Sequence, residues 1–311
     1  MAGKRDIPHL EETTAWLLES QTPSIRYFTL TRIKGLPEND PEVSKARFSI
    51  ATTPPVSKIL EAQRPEGHWV EARHIYSPKY RSSHWTMMML VELGLEPDNE
   101  FLQKGADSTL AVVQEGKTNY LRLQMTGFGC FWGNWLRYQL YCGRIEDPFV
   151  GKVIDFICAD LGRGGQCRYN SDLPCAWSVV HGLYGLALIP EHSRDEKVKT
   201  AIQQGIRFLL EDYDLLAANY PADHKTHPFW ESLSFPIFYH ADRLFVLRVL
   251  KDLKTLDHPA AQKTLQWLLE KQTKSGIWRG GSPLSDRSRP FLAKPDGVER
   301  WLTLHALEVL T

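Results

Sequence analysis

No stretch of the 311-residue chain approaches the roughly 20 apolar residues that a membrane span requires. No apolar run of signal-peptide length follows the opening MAGKRD. The expected address is cytoplasmic, without a transmembrane segment. Net charge is also missing: 37 Lys plus Arg balance 37 Asp plus Glu, so there is no basic field to gather nucleic acid, which is excluded as an expected partner. Cysteine is scarce, and its five copies all lie between Cys130 and Cys175. A disulfide framework would be spread more widely, so reduced thiols are expected. Sustained period-two alternation is hard to find, which argues against β-structure. A Walker loop, a dinucleotide-binding glycine fingerprint and a GxSxG elbow are all wanting, and with them go several common enzyme classes.

What the chain does have is helical periodicity and a 42% hydrophobic content, enough for a substantial core. Turn residues divide the periodic stretches into pairs: 10–20 with 24–33, 56–63 with 82–93, 99–114 with 130–141, 148–161 with 174–188, 194–216 with 241–253, and 259–272 with 298–310. A spacing of about 45–50 residues between pairs is in the range of repeat architectures. Second helices such as WTMMMLVELGL and VVHGLYGLAL are apolar on most sides, whereas first helices such as EKVKTAIQQGIRFLLED are amphipathic. That difference assigns them to an inner and an outer layer. The expected fold is all-α: one domain over 1–311, an (α/α)6 toroid of about six helical hairpins.

Two turns repeat a pattern. QRPEGHW (63–69) and QTKSGIW (272–278) keep Gln, Gly and Trp at the same spacing. Gln63 and Gln272 are expected to close the end of an outer helix, and Gly67 and Gly276 to take a left-handed turn. Trp69 and Trp278 are expected to seal the gap to the neighbouring hairpin. These turns resemble the QW motifs of the terpene cyclase (squalene cyclase-like) and protein prenyltransferase superfamily, and the resemblance covers the repeat pattern of most of the chain. It implies a divergent member with a central aromatic cavity and a small hydrophobic or isoprenoid substrate. The family's chemical motifs do not carry over. Asp172 in SDLPCAW matches the first acid of the DxDD motif of alkene-protonating cyclases, but Pro174 and Cys175 replace the last two. The DxC zinc motif of the prenyltransferases has no counterpart.

In a toroid the inner helices run the same way, and their N-termini collect at one rim. Asp172, Cys175, His240 and Asp242 fall there and are the candidate catalytic residues. Cys130, Cys167 and Cys175 with His240 or Asp242 compose a set compatible with zinc, which accepts thiolate, imidazole and carboxylate. A thiol activated at a helix N-terminus is one alternative, and packing of cysteine as a small hydrophobe is another. The loop ARHIYSPKYRSSHW brings Tyr76, Lys79, Tyr80 and Arg81 ahead of Trp85, a cationic and aromatic set suited to an anionic or π-rich ligand. Trp132 and Trp135, three apart on a helix, join Trp177 and Trp230 as candidate cavity walls. Three functions stay open. One is a cyclase- or transferase-type enzyme for a hydrophobic substrate; the second is a non-catalytic toroid that binds a ligand or peptide. The third is an (α/α)6 carbohydrate-active enzyme in which Asp172 and Asp242 face each other as paired carboxylates.

Overall fold

The structure, a computed structural model, describes residues 5–115, 127–215, 227–281 and 297–311. Among the described residues regular structure is helical, with two isolated β-bridges and no strand. In chain order the helices are α1 (Leu10–Leu18), α2 (Pro23–Phe28), α3 (Pro41–Thr52), α4 (Val56–Glu61), α5 (Ser83–Glu92), α6 (Glu100–Gln114) and α7 (Gly129–Tyr141). They continue with α8 (Pro148–Leu161), α9 (Ala176–Leu186), α10 (Glu196–Arg207), α11 (Pro228–Glu231), α12 (Arg243–Asp252), α13 (Pro259–Glu270) and α14 (Gly297–Leu310). α2 and α10 each run on into a π-helical turn, Thr29–Ile33 and Phe208–Asp212. The expected helix end at Leu216 lies outside the described residues.

Two helices were not expected from the pattern, α3 and the short α11. α3 carries a clear start signal, since the Asp40 carboxylate accepts the N–H groups of Glu42 and Val43 at 2.8 and 3.4 Å and Pro41 follows it. Its buried stripe is only Val43, Ala46 and Ile50, and Phe48 points into solvent, which obscures the helical period.

The division into apolar and amphipathic helices has a direct packing consequence. In α14 every residue from Trp301 to Leu310 is buried, whereas α10 buries one stripe of Val198, Ala201, Ile202 and Gly205. The apolar helices touch in succession: α5 meets α7, α7 meets α9, α9 meets α12, α12 meets α14 and α14 meets α2. α6, α8 and α13 each pack against two successive apolar helices, and α10 packs against α9 and α8. α7 and α9 approach most closely, through glycine. A Cβ on Gly133 would stand 2.1 Å from the His181 carbonyl oxygen, and one on Gly185 2.7 Å from that of Gly133.

The two Gln–Gly–Trp turns are one structure used twice. Gly67 and Gly276 both have positive φ, 87° and 81°. The indole N–H of Trp69 donates to the Ile59 carbonyl at 2.8 Å, and that of Trp278 to Leu268 at 2.7 Å, so each Trp closes its own first helix. Each Gln amide spans two hairpins. Gln63 donates to Gly67 O at 3.0 Å and to Phe101 O on α6 at 2.8 Å. Gln272 donates to Gly276 O at 3.0 Å and to Pro8 O, just ahead of α1, at 2.9 Å. The roles expected for Gln and Trp are thus partly exchanged, since Gln makes the polar bridge between hairpins. The bond that ties the second hairpin to the third also ties the last to the first.

Where the apolar helices approach their C-termini, they converge on buried charge. The Arg248 guanidinium of α12 lies 2.8 Å from Glu92 of α5 and 3.9 Å from Glu308 of α14. Arg32, in the turn after α2, pairs with Glu308 at 2.8 Å. His305 sits between the two carboxylates, 3.2 Å from Glu92 and 3.4 Å from Glu308. The Tyr184 hydroxyl of α9 donates to Glu92 at 3.1 Å, and Arg137 of α7 stacks 3.8 Å above the Tyr184 ring. Burial opposes ionisation of both glutamates. For Glu92 the charges of Arg248, His305 and Arg32 outweigh it and hold the carboxyl well below its ordinary range. Glu308 is lowered in the same way, by Arg32, His305 and Arg248.

Removing one member strands its partners. Arg248→Met is expected to lower unfolding free energy by about 3–5 kcal/mol in urea titrations, as for other broken buried pairs. Because the folded carboxyls stay ionised below their ordinary value of 4.5, the unfolded chain binds more protons as pH falls past it. Their stabilisation, fully present above that pH, is therefore lost on acidification. Urea titrations from pH 6 to 3 should show a shallower decline for Glu308→Gln than for the wild type.

Candidate functional site

A cavity of about 320 Å³ opens where α7 and α9 begin and the loop of residues 74–79 crosses them, a volume at the small end of ligand sites. Its walls are largely aromatic: Tyr76, Phe128, Phe131, Trp177 and Tyr239, with the exposed Tyr169 at the edge. The Lys79 ammonium lies 4.9 Å from the Tyr239 ring centre and 5.7 Å from that of Tyr76. The aromatic and cationic character expected of this loop is therefore present at the cavity, carried by Tyr76 and Lys79.

All three candidate cysteines line the same cavity. Local chain geometry brings two of them together. After α8, Gly164 and Gly165 turn the backbone with positive φ, and Cys167 heads the 3-10 turn Arg168–Asn170. The Cys167 N–H donates to Leu173 O at 3.0 Å and the Asp172 N–H to Cys167 O at 3.0 Å, which folds the loop back on itself. Cys175, the residue capping α9, is tied down by its N–H to Gly164 O at 2.9 Å.

Cys167 and Cys175 are neighbours on the cavity wall. The Cys175 thiol and the nearby amides of Tyr169 and Asn170 favour the Cys167 anion and, against burial, lower Cys167 to about 7. The same neighbour and burial push Cys175 well above the usual thiol range. Burial, helped by Cys167 and Asp160 nearby, carries Cys130, on the first turn of α7, up to about 12. At neutral pH the cavity therefore presents one thiolate-forming sulfur and two thiols.

A fourth group was missed by sequence reasoning. The Asp160 side chain, in the last turn of α8, is 3% exposed. Its Oδ2 accepts the hydroxyl of Ser178, a cavity residue, at 3.2 Å, and its Oδ1 lies 3.8 Å from Arg163. Burial raises this carboxyl to about 6 against the lowering effects of Ser178 and Arg163. A signal for it exists: Val153, Ile157 and Asp160 fall at helical spacing on the buried stripe of α8, where a lone acid is out of place.

The other expected residues lie elsewhere. Trp132 and Trp135 meet edge to face 5.8 Å apart and pack on Phe149 of α8, at 6.3 and 5.9 Å. They fill the gap to α8, while Phe131 of the same helix lines the cavity. Trp230 is buried against Tyr213 and donates to Leu215 O at 3.0 Å. Trp85 donates to Tyr76 O at 2.7 Å and supports the cavity wall from behind. Tyr80 packs between Trp85 and Phe238, at 5.2 and 5.3 Å, and Arg81 is exposed outside the cavity. Asp172 is exposed with φ 57° in the turn between the two cysteines, and does not line the cavity.

Asp242 caps α12, accepting from Phe245 N and Ser234 N, both at 2.8 Å, and burial raises it to about 7. Asp172 and Asp242 therefore do not face each other across the cavity as a pair of sugar-cleaving carboxylates would. His240 is buried among Phe229, Trp177 and Tyr239, at 5.2, 6.5 and 6.1 Å, and burial lowers it to about 4. Neither it nor Asp242 joins the cysteines. Among the described residues no group of three or more His, Cys, Asp or Glu is placed to hold a metal ion. The residues present do not fit the expected zinc set, and no step below runs through a metal.

Compared with family models, curated proteins and solved structures, the chain matches none. Among the described residues no helix is long and apolar enough to cross a membrane.

The three thiols differ enough to be separated by alkylation. Limited treatment with iodoacetamide, followed by peptide mapping, is expected to label Cys167 ahead of Cys130 and Cys175. The rate should rise with pH through a midpoint near 7, since the thiolate is the nucleophile. Equal labelling of all three, or a midpoint near the ordinary thiol value, would contradict the arrangement.

Proposed function

We propose that the succession of apolar helices closes into an (α/α)6 toroid, and that the chain is a divergent enzyme of the terpene cyclase and prenyltransferase type. It admits a small hydrophobic molecule to the cavity and reacts with it through the Cys167 thiolate. Support for the closed ring comes from Gln272, whose bond to Pro8 repeats the bond of Gln63 to Phe101. The observation that carries the reaction is the placement of Cys167 beside Cys175 and Cys130 on the wall of an aromatic cavity, where its surroundings favour the thiolate. A merely structural cysteine gains nothing from donors that stabilise its anion.

Alkene protonation at Asp172 is not part of this reading, since that carboxyl lies outside the cavity. Lys79, above the Tyr76 and Tyr239 rings, is suited to meet an anionic or electron-rich end of the substrate.

The test uses N-benzylchloroacetamide, an apolar electrophile, and anilinonaphthalene sulfonate, an aromatic anion. Wild type and Cys167→Ser are both expected to bind the sulfonate, read by fluorescence. The wild type alone should form the covalent benzyl adduct at neutral pH, and bound sulfonate should slow it. Binding with adduct formation undiminished in Cys167→Ser would defeat the assignment of the nucleophile. Binding by a wild type that forms no adduct would favour the non-catalytic ligand-binding toroid.

A further inference from the structure

Asp160 is a buried acid for which the thiol chemistry alone has no use. Its surroundings are specific. Gly129, the first residue of α7 and a wall of the cavity, comes so close that a Cβ there would stand 1.9 Å from Ser178 Oγ and 2.7 Å from Asp160 Oδ2. The absence of a side chain at 129 lets the hydroxyl and the carboxyl pack directly against the first turn of α7, and the cavity reaches the pair at Ser178. The Asp160 Oδ1 makes no hydrogen bond despite its burial, and its one charged neighbour, Arg163, stands 3.8 Å away, an uncommon state for a structural carboxyl. Ser178 also stands with the thiols, because it lines the same cavity as Cys130, Cys167 and Cys175.

We propose that Asp160 and Ser178 are the proton-transferring pair of the cavity, and that the substrate attacked by Cys167 is an acyl compound: an ester of a small apolar acid. The inference rests on the reading of Cys167 as the nucleophile. The Cys167 thiolate forms a bond to the acyl carbon and the carbon–oxygen bond of the ester breaks. The departing alkoxide takes the Ser178 hydroxyl proton while Ser178 takes the Asp160 proton, leaving Asp160 ionised. Water then adds to the thioester and gives its proton to Asp160 through Ser178. The carbon–sulfur bond breaks, and the thiolate and a carboxylic acid are released. Ester and water become acid and alcohol, and the protein returns to its starting state. The first turns of α7 and α9 both stand at the cavity, and the positive dipole end of each favours charge developing on the acyl oxygen.

The groups facing Asp160 are Ser178 of α9, Arg163 just beyond its own helix, Cys130 of α7 and Cys167 of the following loop. With Asp160 near 6 and Cys167 near 7, the reaction requires a protonated acid and an ionised thiol. The pH–rate profile is then a bell with its maximum between the two values.

The experiment compares p-nitrophenyl butyrate, whose leaving group departs without a proton, with ethyl butyrate, whose leaving group does not. In Asp160→Asn the ratio of p-nitrophenyl to ethyl ester kcat/KM, which reports thioester formation, is expected to rise about 100-fold, in keeping with the loss of a general acid. The descending arm of the ethyl ester profile should disappear with it. Ser178→Ala, which removes one hydroxyl, should raise the same ratio and guards against misfolding of the Asp160 variant. A ratio unchanged in both variants would overturn the proton-transfer role, as would a wild type that consumes the nitrophenyl ester but never the ethyl ester. A wild type that forms no Cys167 thioester with either ester would instead overturn the nucleophile, and this inference with it. The two failures are told apart by intact-mass detection of the thioester.

Discussion

Arg248, lodged between Glu92 and Glu308, is the interaction on which the arrangement of the apolar helices depends. A helix buried on every side has no polar face to fix its rotation, and apolar packing tolerates many registers. Charge in low dielectric does not. Glu92, Arg137, Tyr184, Arg248 and Glu308 come from five different helices, and Arg32 from the turn after a sixth. A slip of one helix would leave some of these groups unpaired. The cluster therefore specifies a single mutual orientation, at the cost of desolvating several ions.

Fixing the C-terminal halves of these helices also fixes where their N-termini stand. α7 and α9 are pressed together along glycines, so their first turns end up side by side and Cys130 meets the loop that carries Cys167 and Cys175. The site is thus assembled from one helix start, one tight loop and one helix cap, each rigid for reasons of its own. The acid differs in origin. Asp160 reaches the site from the end of α8, where Gly129 lets it pack against the start of α7.

Much of this was legible in the sequence, for identifiable reasons. Helices with an uninterrupted period, such as α8 and α14, were bounded within a residue of their ends, because Pro148 opens one and Gly297 precedes the apolar run of the other. α3 was lost because its apolar stripe is narrow and an exposed Phe48 contradicts it. The shared location of Cys130, Cys167 and Cys175 followed from placing helix starts at one rim. Which face of α7 looks inward did not follow, since Phe131 and Trp132 are equally apolar, and the choice between them depends on what α8 offers in return. Asp242 was read as a functional acid when its two oxygens are spent on backbone amides. Sequence shows the presence of a carboxyl, whereas its employment depends on partners that only the folded chain supplies.

The bond from Gln272 to Pro8 has a consequence for the order of synthesis. Every other hairpin finds the neighbour that follows it as soon as the next segment emerges. The first hairpin must wait for residues more than 260 positions away, so the segment around α1, with Thr13 and Pro8 unengaged, is the earliest made and the last to be fully seated. A chain cut short before α13 lacks Gln272 and Gly276, and with them the partners that hold Pro8 and Thr13 in place.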